Sequence, residues 1–425
     1  MASSSDSSSP SVSLFYRYIP FSNEEVEELV VKIAALGAEL RLLGRCLVSI
    51  EGVNGSFGGP LHALLVFESA LPSIHRAFTG VDFKYSSAST STSFPFTSLS
   101  VRSEVSLISC GSRVPHNSIQ RQIAFSETSY GGLEGTGVHL SPQDFHNELM
   151  KIKQSIEKGK EEEALVLDVR NIFESDIGQF EGATPLNTYT YSESWEAIDR
   201  RIKEFQEKKK ERKRNSPSKI LLYCTGGIRC EKASAYLKAN AALLDTQIFQ
   251  LEGGIHKYLD EFGASKESLF KGKNYVFDQR MALTHNKEKK KEEEEEEEVF
   301  KKEVVIGRCL DCGAEYDEYS ETIVCTVCRY PLLVCTSCQE SSRTKEYHCR
   351  RHRELKEVYF SQLGIFSSEE LERQRDILLG MENDLKGDVR RKSKRRTLRL
   401  QRLRIENEII TRCKERVNNF VHSLH

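Results

Sequence analysis

An apolar segment that runs straight into a glycine-containing cysteine loop constrains the fold of this 425-residue chain more than any other feature. Ile220 to Tyr223 is the continuous apolar run expected of a buried strand. Cys224 follows, two glycines stand within the next three positions, and Glu231 to Lys238 has the composition of a helix. The order of strand, tight loop and helix predicts an α/β domain with the loop at the end of a parallel strand.

Such a loop can activate the thiol of Cys224. Backbone N–H groups around the sulfur and an adjacent helix N-terminus favour the thiolate, which is the nucleophilic form. Glycines allow the close approach of the backbone, and Arg229 adds positive charge. The alternative is a buried structural cysteine, because free cysteines are commonly buried. Cys230 is either a neighbour or a thiol that resolves oxidised Cys224. The residues predicted to form the active-site loop are Thr225, Gly226, Gly227, Ile228, Arg229 and Cys230.

A second segment strengthens the catalytic interpretation. The segment from Leu165 to Val169 is predicted to be another buried strand, and the charged residues Asp168 and Arg170 stand at its end. Together the two segments resemble the rhodanese domain, in which an Asp-x-Arg strand end and a glutamate brace the fold and a six-residue loop carries the active cysteine. The residues that match these bracing positions are Asp168, Arg170 and Glu174. Gln179 and Phe180 stand where rhodaneses commonly have His and Ile, which weakens the match to simple thiosulfate enzymes.

The remaining sequence predicts several further segments. Two helical patterns interleaved with about four strands indicate a ferredoxin-like α+β domain, with Asn54-Gly55 as a turn between strands. Seven consecutive glutamates mark a solvated spacer. The predicted boundaries are a disordered N-terminus at 1–14, the ferredoxin-like domain at 15–111, the rhodanese-like domain at 140–282, a charged linker at 283–302, a zinc-binding module at 303–354 and a basic helical tail at 355–425.

The overall composition indicates in which cellular compartment the protein is expected. The net charge is −2, so there is no global polycation. Neither a secretory apolar region nor an apolar run of membrane-spanning length occurs, which predicts a reducing intracellular compartment and no membrane partner. We expect the cytoplasm, with the chloroplast as the alternative because the chain starts with a serine-rich stretch.

A dense cluster of cysteine and histidine follows the spacer. Three CxxC pairs and a His/Cys triplet within 44 residues predict two structural zinc ions. Nine candidates compete for eight ligand positions, and interleaved and sequential pairings are both open. Interleaving would leave one position of the second site to His348 or Cys349. The candidate ligands are Cys309, Cys312, Cys325, Cys328, Cys335, Cys338, His348, Cys349 and His352.

The C-terminal segment predicts a basic helix with an apolar face formed by Leu398, Leu400, Leu403, Ile405, Ile409 and Ile410. A dense cationic stripe on a helix is a plausible binder of the phosphate backbone of RNA. The alternative is a solvated helix face or a run resembling a nuclear-localisation signal. The basic insert at 208–219 is a second candidate patch. The predicted RNA-binding residues are Arg390, Arg391, Lys392, Lys394, Arg395 and Arg396.

The motifs in their order along the chain resemble those of the rhodanese-like tRNA uridine(34) hydroxylase family (TrhO). A plain rhodanese has neither the N-terminal domain nor the trailing cysteine module, so the resemblance is specific, and it covers roughly residues 15 to 350. The extended form, with its insert, glutamate run and tail, suggests a eukaryotic and plant-like member. The motifs are Phe15–Phe21, Glu51–Gly55, Asp168–Asn171, Asp176–Ala183, Tyr223–Glu231 and Phe270–Asp278, followed by the cysteine cluster.

The resemblance implies oxygen-dependent hydroxylation of C5 of the wobble uridine in tRNA, with O2 as co-substrate and Cys224 as the essential cysteine. The residues themselves indicate an activated thiolate, a zinc module and a basic arm, and contain no iron triad, flavin or dinucleotide motif, or haem motif. Two other hypotheses stay open. One is a rhodanese-type sulfurtransferase that carries a persulfide on Cys224, and the other is a non-enzymatic adaptor that binds zinc and RNA.

Overall fold

The computed structural model describes residues 10–88, 95–110, 135–158, 164–208, 216–240, 243–263, 265–284, 304–356, 358–387 and 392–423. These divide into two compact units, residues 1–307 and 308–425. The centre of the basic insert, the glutamate run and most of the segment between the first two predicted domains lie outside the described residues. Across the described ranges, we find no helix with both the length and the apolar character needed to cross a bilayer.

The N-terminal part of the first unit is a ferredoxin-like α+β layer. Its elements are β1 (Pro10–Tyr18), α1 (Asn23–Glu39), β2 (Leu43–Ser49), β3 (Gly52–Pro60), α2 (Leu61–Ile74), β4 (Lys84–Ser87) and β5 (Leu99–Ser103). The strand order is β4-β1-β3-β2-β5; the first four strands are antiparallel neighbours, and β5 pairs with β2 in parallel. This arrangement confirms the predicted α+β class and adds a fifth strand at one edge.

Local signals explain how α1 begins and which face it buries. The Ser22 hydroxyl accepts from the Glu25 backbone N–H, and the Glu25 carboxylate accepts from the Ser22 N–H, which is a complete capping box. Val26, Leu29 and Ile33 then recur at helical spacing and are buried against the sheet.

Two predictions about this layer were wrong. Order begins before residue 15, because β1 starts at Pro10 and pairs with β3 along its whole length. Serines at 11 and 13 gave this segment the composition of a disordered start, yet they alternate with Val12 and Leu14 as a strand requires. Asn54-Gly55 lies inside β3 rather than at a turn, since Ser49 pairs with Gly52 and the chain reverses at residues 50–51.

The rest of the first unit has the predicted α/β rhodanese-like architecture. Its strands are β6 (Val138–Leu140), β7 (Ala164–Asp168), β8 (Gly178–Phe180), β9 (Thr184–Pro185), β10 (Lys219–Tyr223), β11 (Gln247–Leu251), β12 (Phe270–Gly272), β13 (Asn274–Tyr275) and β14 (Ala282–Leu283). Its helices are α3 (Pro142–Glu157), α4 (Ile172–Ser175), α5 (Ser194–Lys208), α6 (Ile228–Lys238) and α7 (Gly254–Phe262).

The main sheet is parallel, with strand order β6-β11-β10-β7-β9. The central strand β10 is buried on both faces, because Ile220 and Leu222 contribute to one apolar cluster and Leu221 and Tyr223 to the other. Tyr223 pairs with Asp168, so β10 and β7 end side by side and their following loops meet at one edge.

The described part of the second unit combines short irregular segments with three α-helices. Its helices are α8 (Thr336–Ser341), α9 (Ser368–Asp384) and α10 (Lys392–Ser423). Leu371 and Leu378 of α9 pack with Leu398 and Ile405 of α10, which are seven residues apart and share a face. The predicted apolar face of α10 also included Leu400, Leu403 and Ile410. These three residues are exposed because they lie off the stripe set by positions 398 and 405.

Candidate active site and metal clusters

Cys224 lies in the loop between β10 and α6, at the C-terminal edge of the parallel sheet. Its side chain is fully buried, and its sulfur accepts a hydrogen bond from the Gly227 backbone N–H at 3.1 Å. Gly227 has φ of +100°, a conformation that side chains other than glycine's rarely adopt. The sequence places this glycine where the chain must turn around the sulfur before the helix begins.

The loop favours the thiolate of Cys224. Burial opposes ionisation, but a hydrogen bond from the Cys230 thiol, the Arg229 charge and the backbone N–H groups of Arg229 and Cys230 lower the pKa of Cys224 to about 6. Burial and the bond to Cys224 instead raise the pKa of Cys230 well above its ordinary value. At neutral pH the pair therefore consists of a thiolate at Cys224 and a thiol donor at Cys230.

Arg229 is held mainly by Glu174. Both carboxylate oxygens of Glu174 accept from the guanidinium at 2.6 Å, and one also accepts from the Thr225 hydroxyl at 2.9 Å. The Arg229 charge, beside Glu174, lowers the pKa of that buried carboxyl in spite of the desolvation that burial imposes. The bidentate pair ties the Cys224 loop to α4 and fixes where the Arg229 charge sits.

A second buried pair braces the neighbouring strand end. Arg170 donates to the Asp168 carboxylate at 2.9 and 2.6 Å and to the Gly178 carbonyl at 2.5 Å. Its guanidinium also lies over the Tyr223 ring, 5.6 Å from the ring centroid. Glu174 thus bonds the loop directly, whereas Asp168 and Arg170 brace the neighbouring strand end. The resemblance to the rhodanese domain implied these supporting roles.

The turn between β11 and α7 forms one wall of the loop. The Ile255 N–H donates to the Cys224 carbonyl at 2.9 Å, and the His256 N–H donates to the Thr225 carbonyl at 3.1 Å. A Cβ at Gly254 would lie 2.6 Å from the Cys224 carbonyl oxygen, so only glycine fits there.

The ferredoxin-like layer covers the loop from the other side, which sequence reasoning missed. Leu14 packs on Gly226, the Tyr16 hydroxyl donates to Glu231 at 3.1 Å, and the Tyr18 hydroxyl donates to the Ile228 carbonyl at 3.4 Å. The available signal was the alternation of apolar residues at even positions of β1, which indicates a second buried face.

Further contacts join the same two layers. Lys232 of α6 forms a salt bridge with Glu51 at 2.9 Å. Lys257 of α7 forms one with Asp82 at 3.1 Å. Arg280 donates to the Ser86 hydroxyl at 3.0 Å.

A cavity of about 360 Å³ lies between the two layers. Thr225, Gly226 and Arg229 contribute to its wall from the active-site loop, and Tyr16 and Asn54 contribute from the ferredoxin-like layer. Cys224 does not line the cavity, and its buried sulfur instead accepts hydrogen bonds from the Gly227 N–H and the Cys230 thiol. The volume is in the range of small-ligand sites in proteins.

The second unit holds two groups of potential metal ligands. Within each group, all ligand atoms lie within 4.8 Å of one another, and the two groups interleave along the chain. The first group is Cys309, Cys312, Cys335 and Cys338, and the second is Cys325, Cys328, Cys349 and His352.

His348 belongs to neither group, although the sequence made it a candidate ligand. Its ring is buried near Phe360, 5.7 Å between ring centroids, and neither ring nitrogen has a hydrogen-bond partner among the described residues. The three-residue spacing of Cys349 and His352 brings both into one group of potential ligands, and the ring of the adjacent His348 lies against Phe360 instead.

The predicted RNA-binding residues are only partly described. Arg390 and Arg391 lie outside the described residues. Lys392, Arg395 and Arg396 are exposed near the start of α10. Lys394 instead forms a salt bridge with Glu354 at 2.5 Å, which leaves it less available to a phosphate.

Comparison with protein families matches three segments of the chain. Residues 11–105 match the UPF0176 acylphosphatase-like domain, residues 150–261 match the rhodanese-like domain, and residues 271–352 match the rhodanese C-terminal family.

Relatives with curated names extend these matches. The chain is 33% identical over 342 residues to rhodanese-like domain-containing protein 6 of Arabidopsis thaliana, which covers 77% of this chain and about half, 50%, of that protein. It is 30% identical over 331 residues to a tRNA uridine(34) hydroxylase of Arthrobacter sp. (strain FB24), covering 78% of this chain and 95% of the relative. A tRNA uridine(34) hydroxylase of Leptospira interrogans is 32% identical over 329 residues, 77% of this chain and 73% of the relative. The chain belongs to the UPF0176 family of rhodanese-like tRNA uridine(34) hydroxylases.

Proposed function

We propose that this protein hydroxylates C5 of the wobble uridine of tRNA in an oxygen-dependent reaction, with Cys224 as the nucleophile. The observation that carries the proposal is the buried thiolate loop, with a Cys224 pKa of about 6 and the Gly227 N–H on the sulfur. The match to hydroxylases of tRNA uridine(34) over most of their length supports tRNA as the substrate.

Thiolate chemistry explains why a uracil ring suits this loop. Addition of the Cys224 sulfur to C6 forms an S–C6 bond and moves the C5–C6 π electrons onto C5 and O4. C5 then attacks an electrophilic oxygen derived from O2. A pair of thiols oxidised to a disulfide would supply the two electrons and two protons required, and the second oxygen atom leaves as water. Loss of the C5 proton restores the double bond and expels the thiolate.

The cavity between the two layers of the first unit is the proposed entrance for the base. A wobble base in an anticodon loop is already unpaired, so little unstacking is required to splay it out. Because Leu14 packs on Gly226 above the buried sulfur, we expect β1 and the loop to separate when the base reaches Cys224.

We propose zinc as the ion of both metal clusters. In a tetrahedral site with Zn–S bonds of about 2.3 Å, sulfur atoms lie about 3.8 Å apart. The Cys312 and Cys335 sulfurs lie 3.6 Å apart, and those of Cys328 and Cys349 lie 3.8 Å apart. Four protein ligands close each site to water, which favours a structural role.

The exposed start of α10 is the proposed RNA-contacting arm. Lys392, Arg395 and Arg396 present positive charge to solvent, and such charges bind phosphates without reading sequence. We expect this arm to add affinity for tRNA, and the choice of base to come from the site around Cys224.

The test is mass spectrometry of tRNA modified by the purified protein under ¹⁸O2. We expect one ¹⁸O atom on the wobble uridine with wild-type protein and none with Cys224→Ser. Loss of the modified nucleoside from cells that lack the gene, and its return with the wild-type gene alone, would support the same conclusion. Thiosulfate turnover without oxygen, together with unmodified uridine, would overturn the proposal in favour of a sulfurtransferase.

A further inference from the structure

Tyr16 reaches from the ferredoxin-like layer to the Cys224 loop. It lies on the β1 face that meets the loop, and it lines the cavity between the layers. A Cβ added to Gly227 would be 2.8 Å from the Tyr16 hydroxyl oxygen, so the phenol sits directly on the residue whose N–H binds the Cys224 sulfur. A polar group is therefore contributed to the reaction site by a domain that plain rhodaneses lack.

Behind Tyr16, two ionisable groups continue toward the surface. The Tyr16 hydroxyl donates to Glu231 Oε1 at 3.1 Å, and His139 Nε2 lies 2.8 Å from the same oxygen. The Glu231 side chain is 1% exposed, whereas that of His139 is 22% exposed. Gln250 and Ser234 position His139 from the other side. The Gln250 side-chain nitrogen lies 2.5 Å from His139 Nε2, and the Gln250 side-chain oxygen accepts from the Ser234 hydroxyl at 2.6 Å.

We propose that Tyr16, Glu231 and His139 form a proton path from the cavity to solvent, with Tyr16 as a further catalytic residue at its inner end. The inference rests on the proposed function, because hydroxylation of uracil must remove one proton from C5. As the C5–H bond breaks, its electron pair forms the C5–C6 double bond and the S–C6 pair returns to Cys224. The proton passes to the Tyr16 oxygen while the phenolic proton moves to Glu231, and His139 delivers it to water.

Several charged groups face this path and set its pH dependence. Burial lowers the pKa of His139, but its hydrogen bond to Glu231 and the charges of Glu231 and Glu252 outweigh burial and raise it above the ordinary value. Cys224 and Cys230 face Tyr16 from the loop, and Lys84 lies over the Tyr16 ring, 5.3 Å from its centroid.

Proton release needs His139 in its neutral form, so turnover should rise with pH as His139 deprotonates. Removing the Glu231 charge should move that rise to lower pH. A purely structural role for the three residues predicts no such movement.

The structure supplies a matched control for loss of the phenol. Tyr18 is two residues along the same strand, is also buried at the loop and donates to the Ile228 carbonyl, but it does not bond Glu231. Tyr16→Phe and Tyr18→Phe each remove one hydroxyl between the same two layers. Only Tyr16→Phe interrupts the proposed path.

The experiment measures 5-hydroxyuridine formation in tRNA by the full-length protein and its variants. We expect Tyr16→Phe and Glu231→Gln to lower turnover at saturating tRNA about 100-fold. In both variants, KM and the rate of Cys224 alkylation should change little. Tyr18→Phe should keep nearly the turnover of the wild-type protein. Wild-type turnover in Tyr16→Phe would overturn the proposal. The proposal would also be overturned if Tyr16→Phe and Tyr18→Phe lost turnover equally, or if Cys224 alkylation fell in parallel with turnover. An unchanged pH profile in Glu231→Gln would overturn it as well. Each of these results indicates a structural contact.

A second assay separates this inference from the proposed function. Reversible addition of Cys224 to C6 makes the C5 proton exchangeable, so tRNA carrying [5-³H]uridine should release tritium without O2. If wild-type protein forms no hydroxyuridine, the proposed function fails, yet tritium release that Tyr16→Phe abolishes would still support the proton path. Equal release by both proteins, or release by neither, would overturn it.

Discussion

The Cys224 loop and the two cysteine clusters hold the same side chain in opposite settings. Around Cys224, the fold stabilises the thiolate itself, with backbone N–H groups, a thiol donor and a helix start, all fixed by a parallel sheet and two large apolar clusters. Around the two groups of potential metal ligands, α8 buries no residue, and the described residues pair through isolated bridges such as Arg308 with Glu315 and Val324 with Pro331. Within each group the four ligand atoms lie within 4.8 Å of one another, so an ion bound among them would balance the charge of the thiolates. On the functions proposed above, the comparison teaches that a cysteine is reactive where the polypeptide itself stabilises the thiolate, and structural where a metal ion does so.

The largest expected effect is the loss of enzymatic activity when Cys224 is replaced. Cys224→Ser should abolish formation of 5-hydroxyuridine, because a serine hydroxyl is not ionised near neutral pH. Thermal stability and zinc content should stay at wild-type values, which differential scanning calorimetry and elemental analysis would check. Cys413→Ser is the matched control, since Cys413 is exposed on α10 and outside both clusters. Residual activity in Cys224→Ser would place the reacting group elsewhere.

Removal of metal should unfold the second unit and spare the first. The free energy of zinc binding, about 10–16 kcal/mol for a structural site, is largely folding free energy in small zinc modules. We expect two zinc ions per chain. After chelation we expect rapid proteolysis within residues 308–356, while the described strands and helices between residues 135 and 284 stay protected. Protein that contains no zinc, or that is cleaved identically with and without chelator, would contradict the structural assignment of the clusters.

Breaking the brace of the loop should have an intermediate effect on stability. Glu174→Ala leaves the buried Arg229 charge without its bidentate partner, which should lower the free energy of unfolding by about 3–5 kcal/mol. Lys153 and Glu181 provide an exposed pair, and Glu181→Ala should cost less than about 1 kcal/mol. Urea denaturation of both variants makes the comparison, and similar losses would show that the Glu174 pair is not a specific brace.

A smaller effect is expected where only one hydrogen bond to the thiolate is changed. Cys230→Ala removes the thiol donor, so the pKa of Cys224 should rise and its alkylation at pH 6 should slow. Cys230→Ser retains a donor and should keep most of the reactivity and the activity. If both variants behave as wild type, then the donor from Cys230 does not contribute to the loop.

The smallest effect concerns RNA. Each phosphate contact contributes roughly −0.7 to −0.9 to the slope of log affinity against log salt. Loss of two exposed cations in Arg395→Gln/Arg396→Gln should therefore flatten that slope by about 1.4–1.8 without changing which tRNAs are preferred. Lys394→Gln is the control because Lys394 is already paired with Glu354. Identical slopes for all three proteins in filter binding would leave α10 without a role in RNA binding.

The contrast between the Cys224 loop and the cysteine clusters also explains which features could be predicted from the sequence. The Cys224 loop was predictable because short-range order alone specifies a strand, a turn and a helix. The supports at Asp168, Arg170 and Glu174 were predicted only from the resemblance to the rhodanese domain. The cover formed by Leu14, Tyr16 and Tyr18 was not, since contacts across about 200 residues leave no local pattern except alternation along β1.

In the second unit, spacing predicted the ligand types, but only folding separates interleaved from sequential pairing. The exclusion of His348 likewise depends on where the chain carries its ring. The error at Asn54-Gly55 has a similar origin, because pairing with β1 and β2 overrode a strong local turn signal.

The pH dependence of Cys224 alkylation in zinc-loaded protein bears most directly on this contrast. Iodoacetamide labelling at a series of pH values, read out by peptide mass spectrometry, gives a midpoint for each cysteine whatever its absolute rate. We expect a midpoint for Cys224 near the pKa of about 6, and cluster cysteines that stay unlabelled until zinc is removed. A Cys224 midpoint at about 8.5, the value of an ordinary thiol, would contradict the claim that the fold itself maintains a thiolate.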